Sequence, residues 1–301
     1  MSESSAVLTK DEWRAVVREC QVEPGRTVDL DKDFDSALMP KHFDKIASEQ
    51  AHVLVLDELT ALQDRFYAAN SNAMLIVFQA TDAAGKDGTI KHVMSGLNPE
   101  GVEVHSFKAP SVEERAHDFL WRHQLVLPEL GRIAIFNRSH YENVLVTQVH
   151  PELIWPPADR VKDLDALWTR RYHAINEWER HLVDSGTQVV KIFLNLSKDV
   201  QRKRFLERID EPEKNWKFSP ADLHERGYWD AYRKSFSAMV SNTSTTWAPW
   251  YVVPADHKWV TRLVTSAIVL HTLQEIDPQY PKVDEQTLQE LQEARVRLAA
   301  E

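Results

Sequence analysis

The chain has 301 residues, 43% of them hydrophobic, and a formal net charge of -10 at pH 7. That length and apolar content supply a full core, in one large domain or two modest ones, and exclude wholesale disorder. The acidic balance argues against a nucleic-acid partner, and the longest apolar runs, MLIVF and IAIF, fall far short of the roughly 20 residues that span a bilayer.

A single cysteine, Cys20, excludes an intrachain disulfide and a thiolate metal cluster, leaving ordinary packing or surface filling as its role. The opening MSESSAVLTKDEW has no basic stretch followed by an apolar one, so a cytoplasmic location is expected.

Residues 1–40 predict an N-terminal extension with a short helical pattern over Asp11 to Cys20 and a turn at Pro24-Gly25. From His42 to Asn70, Ile46, Val53, Leu56, Leu59, Leu62 and Phe66 recur at helical spacing and predict one long amphipathic helix. MLIVFQ at 74–79 is a continuous apolar run, the pattern of a strand buried on both faces of a parallel sheet.

Further strands are predicted at GVEVHSF (101–107), RIAIFN (132–137), QVVKIFLNL (188–196) and WYVVPA (250–255). Helical patterns fall over Glu113 to Gln124, Leu164 to Asp184, Lys198 to Ile209, Asp222 to Val240 and Lys258 to Glu275. This alternation predicts an α/β fold: a doubly wound parallel five-stranded sheet with helices on both faces. Residues 281–301 predict a C-terminal helix, over Glu285 to Ala300, that docks on the body or on another subunit. DEPEKNWKFSP (210–220) is a polar, mobile-looking segment where P-loop kinases place a lid, and the lid as a whole is expected over about 200–222.

FQATDAAGKDGTIKHV (78–93) departs at two positions from the phosphate loop G-x-x-x-x-G-K-[ST]: Ala80 replaces the first glycine and Asp87 the metal-binding hydroxyl. Its setting is still correct for a phosphate loop. A buried strand leads into Ala83, Ala84 and Gly85, whose turn exposes backbone N–H groups at the start of a helix, while Lys86 reaches phosphate oxygens and Gly88 lies in the first turn. Asp82 and Asp87 would repel bare phosphates unless magnesium lies between them. Asp82 therefore reads as a metal ligand or general base, with a loop-capping role as the alternative.

The strand RIAIFN runs into NRSHYEN (137–143). Asn137 stands where a P-loop enzyme has an aspartate near the metal, so neutralisation falls to Asp82 and Glu142. Arg138 suits a two-pronged grip on phosphate or, alternatively, a salt bridge. His140 reads equally as an acid, a phosphate donor or a cap.

DAAGKDGTI together with FNRSHYE resembles the polyphosphate kinase 2 family, and the likeness continues through SKDVQRKRFLERI, NWKFSPADL, YWDAY and TTWAPWYVVPADHKWVTR. The resemblance implies a three-layer P-loop kinase fold over residues 41–280, a helical lid, magnesium or manganese dependence, and a basic channel for inorganic polyphosphate. It implies phosphoryl transfer to nucleoside diphosphates or monophosphates, with purine nucleotides such as ADP, AMP, GDP and GMP as partners, and a homo-oligomer, dimer or tetramer.

Carried over by position, Asp82, Lys86, Arg138 and Glu142 form the catalytic set, with Asp82, Asn137 and Glu142 toward the metal. Lys203, Arg204, Arg208 and Lys217 fall to the lid and channel, and Lys91, Lys108, Lys258 and Arg262 are further phosphate candidates. Trp216 and Phe218 are expected to brace lid closure. In 198–217 seven cations face five acids, which reconciles an acidic protein with a polyanionic substrate. Asn137 and SHYEN match the subgroup acting on both mono- and diphosphates rather than the one reading FDRSWYN; Ala80 and Asn143 depart from the family pattern. The competing expectations are an ATP-dependent nucleoside monophosphate kinase on the same fold and a silent nucleotide-binding protein.

Overall fold

The computed structural model describes residues 10–39, 45–155 and 162–301. Five strands form one sheet: β1 (Ala73–Ala80), β2 (Val102–Ser106), β3 (Ile133–Asn137), β4 (Thr187–Asn195) and β5 (Trp250–Pro254). Their order is β2-β3-β1-β4-β5, and every pairing is parallel. Each of the five predicted strands is present.

Side chains alternate across the sheet, so Met74, Ile76 and Phe78 of β1 point into one apolar layer and Leu75 and Val77 into the other. The first layer is closed by helices Lys45–Ala69, Lys86–Val93 and Lys258–Ile276, through residues such as Leu59, Phe66, Val93 and Ile268. The second is closed by helices Leu164–Asp184 and Trp229–Thr243, through Ile175, Leu182, Phe236 and Met239. Burial on both faces is why these strands read as unbroken apolar runs.

His42, Phe43 and Asp44, at the start of the long predicted helix, lie outside the described residues. Two other predicted helices are broken. Glu113 to Gln124 is two single-turn helices, Val112–Arg115 and Trp121–Gln124. Asp222 to Val240 is interrupted at Gly227, giving Pro220–Arg226 and Trp229–Thr243. The expected N-terminal extension is partly core: Gln21 bridges Tyr251, the Val22 amide donates to the Trp250 carbonyl at 2.8 Å, and Val22 and Leu30 are fully buried. Residues 210–220 form a 3-10 turn, Pro212–Lys217, in which Asn215 donates to the carbonyls of Arg208 and Ile209 and closes the end of helix Lys198–Asp210. Helix Glu285–Leu298 is exposed along its whole length.

Candidate active site

The chain winds from β1 to β3 on one side of the sheet and then crosses to β4 on the other, so β1 ends at the topological switch point where α/β proteins bind ligands. Ala80 is the last residue of that strand. The missing first glycine therefore falls in extended backbone, where an alanine costs nothing. The left-handed conformation is carried three and five residues later, by Ala83 (φ 61) and by Gly85 (φ 95). An alanine held there stores backbone strain of the kind that clusters at working sites.

Gly85 is the N-cap of helix Lys86–Val93, and no side chain caps it. The helix start therefore presents its amides outward, as an anion site requires. The proposed capping role of Asp82 is not seen; its carboxylate lies half-exposed, 3.7 Å from Arg138.

Burial pushes the Lys86 ammonium below its ordinary range. Glu142, Asp82 and Asp87 push it back up, and Arg138 adds to the depression. These five side chains thus share one electrostatic neighbourhood. Asp87 is joined to it from the side: Asn137 donates its amide N–H to Asp87 Oδ1 at 2.7 Å. The two residues that replace the usual hydroxyl and aspartate are bonded to each other. Arg138 itself is left-handed, φ 62, at the sharp exit from β3.

Other expected site residues are placed differently. The Arg204 guanidinium is buried beneath the loop and donates to the carbonyls of Ala83 (3.0 Å), Ala84 (2.8 Å), Ala255 (2.7 Å) and Asp256 (3.2 Å). Its donors are committed to backbone, so it braces the loop rather than lining a channel. Arg208 is likewise engaged, with the Lys217 carbonyl at 3.1 Å and Asp222 at 3.4 Å. Lys203, Lys217, Lys91 and Lys108 are exposed, and Gly88 lies on the open face of the loop helix. The Lys258 ammonium is depressed by burial and then by Arg204, with Lys214 and Arg262 contributing and Glu207 opposing.

Trp216 is 79% exposed, whereas Phe218 packs edge-on against Phe205. His140 is wholly buried with Nε2 3.4 Å from Glu179, and Asn143 donates its side-chain amide to the His140 carbonyl.

A cavity of about 190 Å³ opens beside the loop. Asp82, Arg138 and Glu142 form its polar end, while Glu225, Arg226, Trp229 and Tyr232 come from the two helices that meet at Gly227. Glu225 accepts hydrogen bonds from Tyr232 Oη at 2.6 Å and faces His150 Nε2 at 2.9 Å. Sequence reading missed these cavity residues. Only YWDAY marked the region, and nothing in it indicated which side chains face the loop.

A phosphate cradle at the switch point of a parallel sheet, with cations and carboxylates around its mouth, defines a P-loop phosphotransferase. The model of the polyphosphate kinase 2 (PPK2) family matches residues 42–281, and the chain belongs to that family. It is 46% identical over 286 residues to an ADP-polyphosphate phosphotransferase of Rhodopseudomonas palustris, covering 93% of this chain and 98% of the relative. An AMP/ADP-polyphosphate phosphotransferase of Meiothermus ruber is 45% identical over 240 residues, 79% of this chain and 85% of that one. The crystal structure of polyphosphate kinase 2 from Arthrobacter aurescens TC1 superposes with a TM-score of 0.80 at 37% identity, covering 89% of this chain and 92% of that one. No helix among the described residues is long and apolar enough to cross a membrane.

Proposed function

We propose that this chain transfers a phosphoryl group from inorganic polyphosphate to a nucleoside diphosphate or monophosphate, ADP to ATP and AMP to ADP. The observation that carries the reading is the convergence of Asp82, Lys86, Arg138 and Glu142 at the mouth of an uncapped helix, in a chain of the polyphosphate kinase 2 family. Relatives named for ADP and for AMP/ADP support both acceptors and disfavour ATP as the donor.

Phosphoryl transfer needs alignment and charge neutralisation more than covalent work by the protein. The helix amides and Lys86 hold phosphate oxygens, and Arg138 grips the transferring group from the end of β3. The cavity walls Trp229 and Tyr232 hold the nucleoside, with Glu225 fixed against Tyr232. Lys203, Lys217, Lys258 and Arg262 offer an electropositive path for the polymer. Arg204 holds the carbonyls of the loop so that its amides stay turned toward phosphate.

Magnesium, or manganese in its place, fits the donor set. Asp82 and Glu142 are hard oxygen donors that line one cavity and act on the same Lys86 ammonium. That combination suits an ion held by one or two carboxylates and completed by substrate phosphates. When bound, it would neutralise charge on the transferring group. The test is to incubate the pure protein with magnesium, long-chain polyphosphate and AMP, ADP, GMP or GDP in turn and to chromatograph the nucleotides. Nucleotide phosphorylation with ATP as donor and none with polyphosphate would overturn the reading.

A further inference from the structure

Beneath the second motif lies a buried ion pair that the transfer chemistry does not touch. Glu179, on helix Leu164–Asp184, and Lys191, in the middle of β4, expose no side-chain surface, and Lys191 Nζ lies 2.7 Å from Glu179 Oε2. Lys191 also donates to Tyr141 Oη at 3.1 Å and to the carbonyl of Thr243, and its ammonium sits 5.4 Å from the ring centre of Trp250. Tyr141 in turn donates its hydroxyl to Glu179 Oε1 at 2.7 Å, and His140 Nε2 lies 3.4 Å from the same oxygen.

A pair of this kind is poorly explained by stability alone. Desolvating two charges is costly, and well-packed apolar replacements are often equally stable. What the pair does have is a purchase on one short segment. His140 and Tyr141 open the 3-10 turn His140–Val144, and Glu142 is the next residue. Ser139, just before them, accepts from Gln79 Nε2 at 3.1 Å and from the Tyr141 amide at 3.2 Å, and Gln79 immediately precedes Ala80 at the end of β1. Residues 139 and 141 are therefore fastened from below by hydrogen bonds, with the buried His140 between them, while Arg138 and Glu142 on either side face the cavity. Arg138 is held at φ 62, a conformation a non-glycine residue keeps only when its surroundings over-determine it.

We propose that the Glu179–Lys191 pair is a positioning device for phosphoryl transfer: through Tyr141 it fixes the rotation of the 138–142 turn and so the places of Arg138 and Glu142. Neither Glu179 nor Lys191 touches substrate. Their effect runs through the turn, and the inference rests on the reading that Arg138 and Glu142 serve the transfer.

Two variants test it alongside a control. Tyr141→Phe removes one hydroxyl and keeps the ring; the double variant Glu179→Leu with Lys191→Met replaces the pair with apolar groups of similar length. Both are expected to keep native circular dichroism and a cooperative melt. Both are expected to lower kcat about tenfold or more while leaving KM for polyphosphate within about threefold, because misplacement of a catalytic group by an ångström can cost that much. A purely structural pair would move the melting temperature and leave the turnover of folded protein unchanged. If the double variant does not fold, Tyr141→Phe decides alone.

Wild-type kcat in Tyr141→Phe, or in a folded double variant, overturns the inference. Glu142→Gln separates the two levels. Unchanged turnover in Glu142→Gln sinks the reading of the site itself, whereas a loss there with none in Tyr141→Phe sinks only the positioning role.

Discussion

The guanidinium of Arg204 donates to the carbonyl of Ala83, the residue that carries the left-handed turn of the phosphate loop. It spans from there to the carbonyls of Ala255 and Asp256 just beyond β5, so a single planar group ties the loop to the far side of the sheet. A lysine has one point charge and cannot reproduce this fork. Arg204→Lys is expected to lower kcat about 10- to 100-fold and to reduce the melting temperature by several degrees, since buried carbonyls lose their donors. Steady-state kinetics and a thermal melt check this, and wild-type values for both would mean the brace is idle.

Lys86 should be indispensable. Lys86→Ala is expected to lower kcat/KM at least about 100-fold, the scale on which a main transition-state contact is lost. Because burial depresses the ammonium of the free enzyme, the alkaline limb of kcat/KM against pH should begin below the ordinary lysine value of 10.5. The protonated form is the one that binds phosphate, so activity is held below the shifted pKa and lost as pH rises through it. A profile flat up to the ordinary lysine range would remove Lys86 from this role.

Asp82→Asn and Glu142→Gln address the metal. Each is expected to cost about 100-fold in rate and to raise the magnesium concentration needed for half-maximal activity. Chelation of divalent cations from the wild type should abolish transfer, with magnesium or manganese restoring it. Activity that survives chelation would refute the metal requirement.

The cavity makes a prediction of a different shape. Trp229→Ala is expected to raise KM for the nucleotide about tenfold, on the scale of a lost aromatic contact, and to leave KM for polyphosphate unchanged. The reverse pattern in a two-substrate kinetic analysis would assign the cavity to the polymer.

Acid stability follows from a buried histidine. Burial, with the nearby His140 and Arg122 charges, pushes His123 down to about 2 from an ordinary value of 6.5. Between those values the unfolded chain takes a proton that the folded chain refuses. Stability is therefore whole above the ordinary value and falls as pH drops below it, by about 1.4 kcal/mol per pH unit. Denaturant unfolding at pH 7 and pH 5 should show a loss that shrinks by about 2 kcal/mol in His123→Gln; an unchanged pH dependence would discount it.

Much of this was legible in the sequence because the chemistry and the packing there have short-range signatures. The strands announce themselves as apolar runs because both faces of the sheet are covered. Asp82, Lys86, Asp87, Asn137 and Arg138 lie in two contiguous motifs at the ends of adjacent strands. What could not be read depends on long-range placement. Arg204 looks like one more cation on a basic helix, and only the fold shows its side chain under the loop. Glu225 and Tyr232 gain meaning from the break at Gly227, which an apolar periodicity running through it conceals. Lys191 stands as a charge inside an apolar strand, yet its partner Glu179 comes from the preceding helix, a pairing that no short-range pattern marks.

The strap formed by Gln21 and Val22 across Tyr251 and Trp250 has a further consequence. Open sheet margins recruit strands from neighbouring molecules, and β5 forms one such margin. By covering part of it with Gln21 and Val22, the chain masks a template for self-association, so this short segment guards colloidal behaviour as well as contributing to the core.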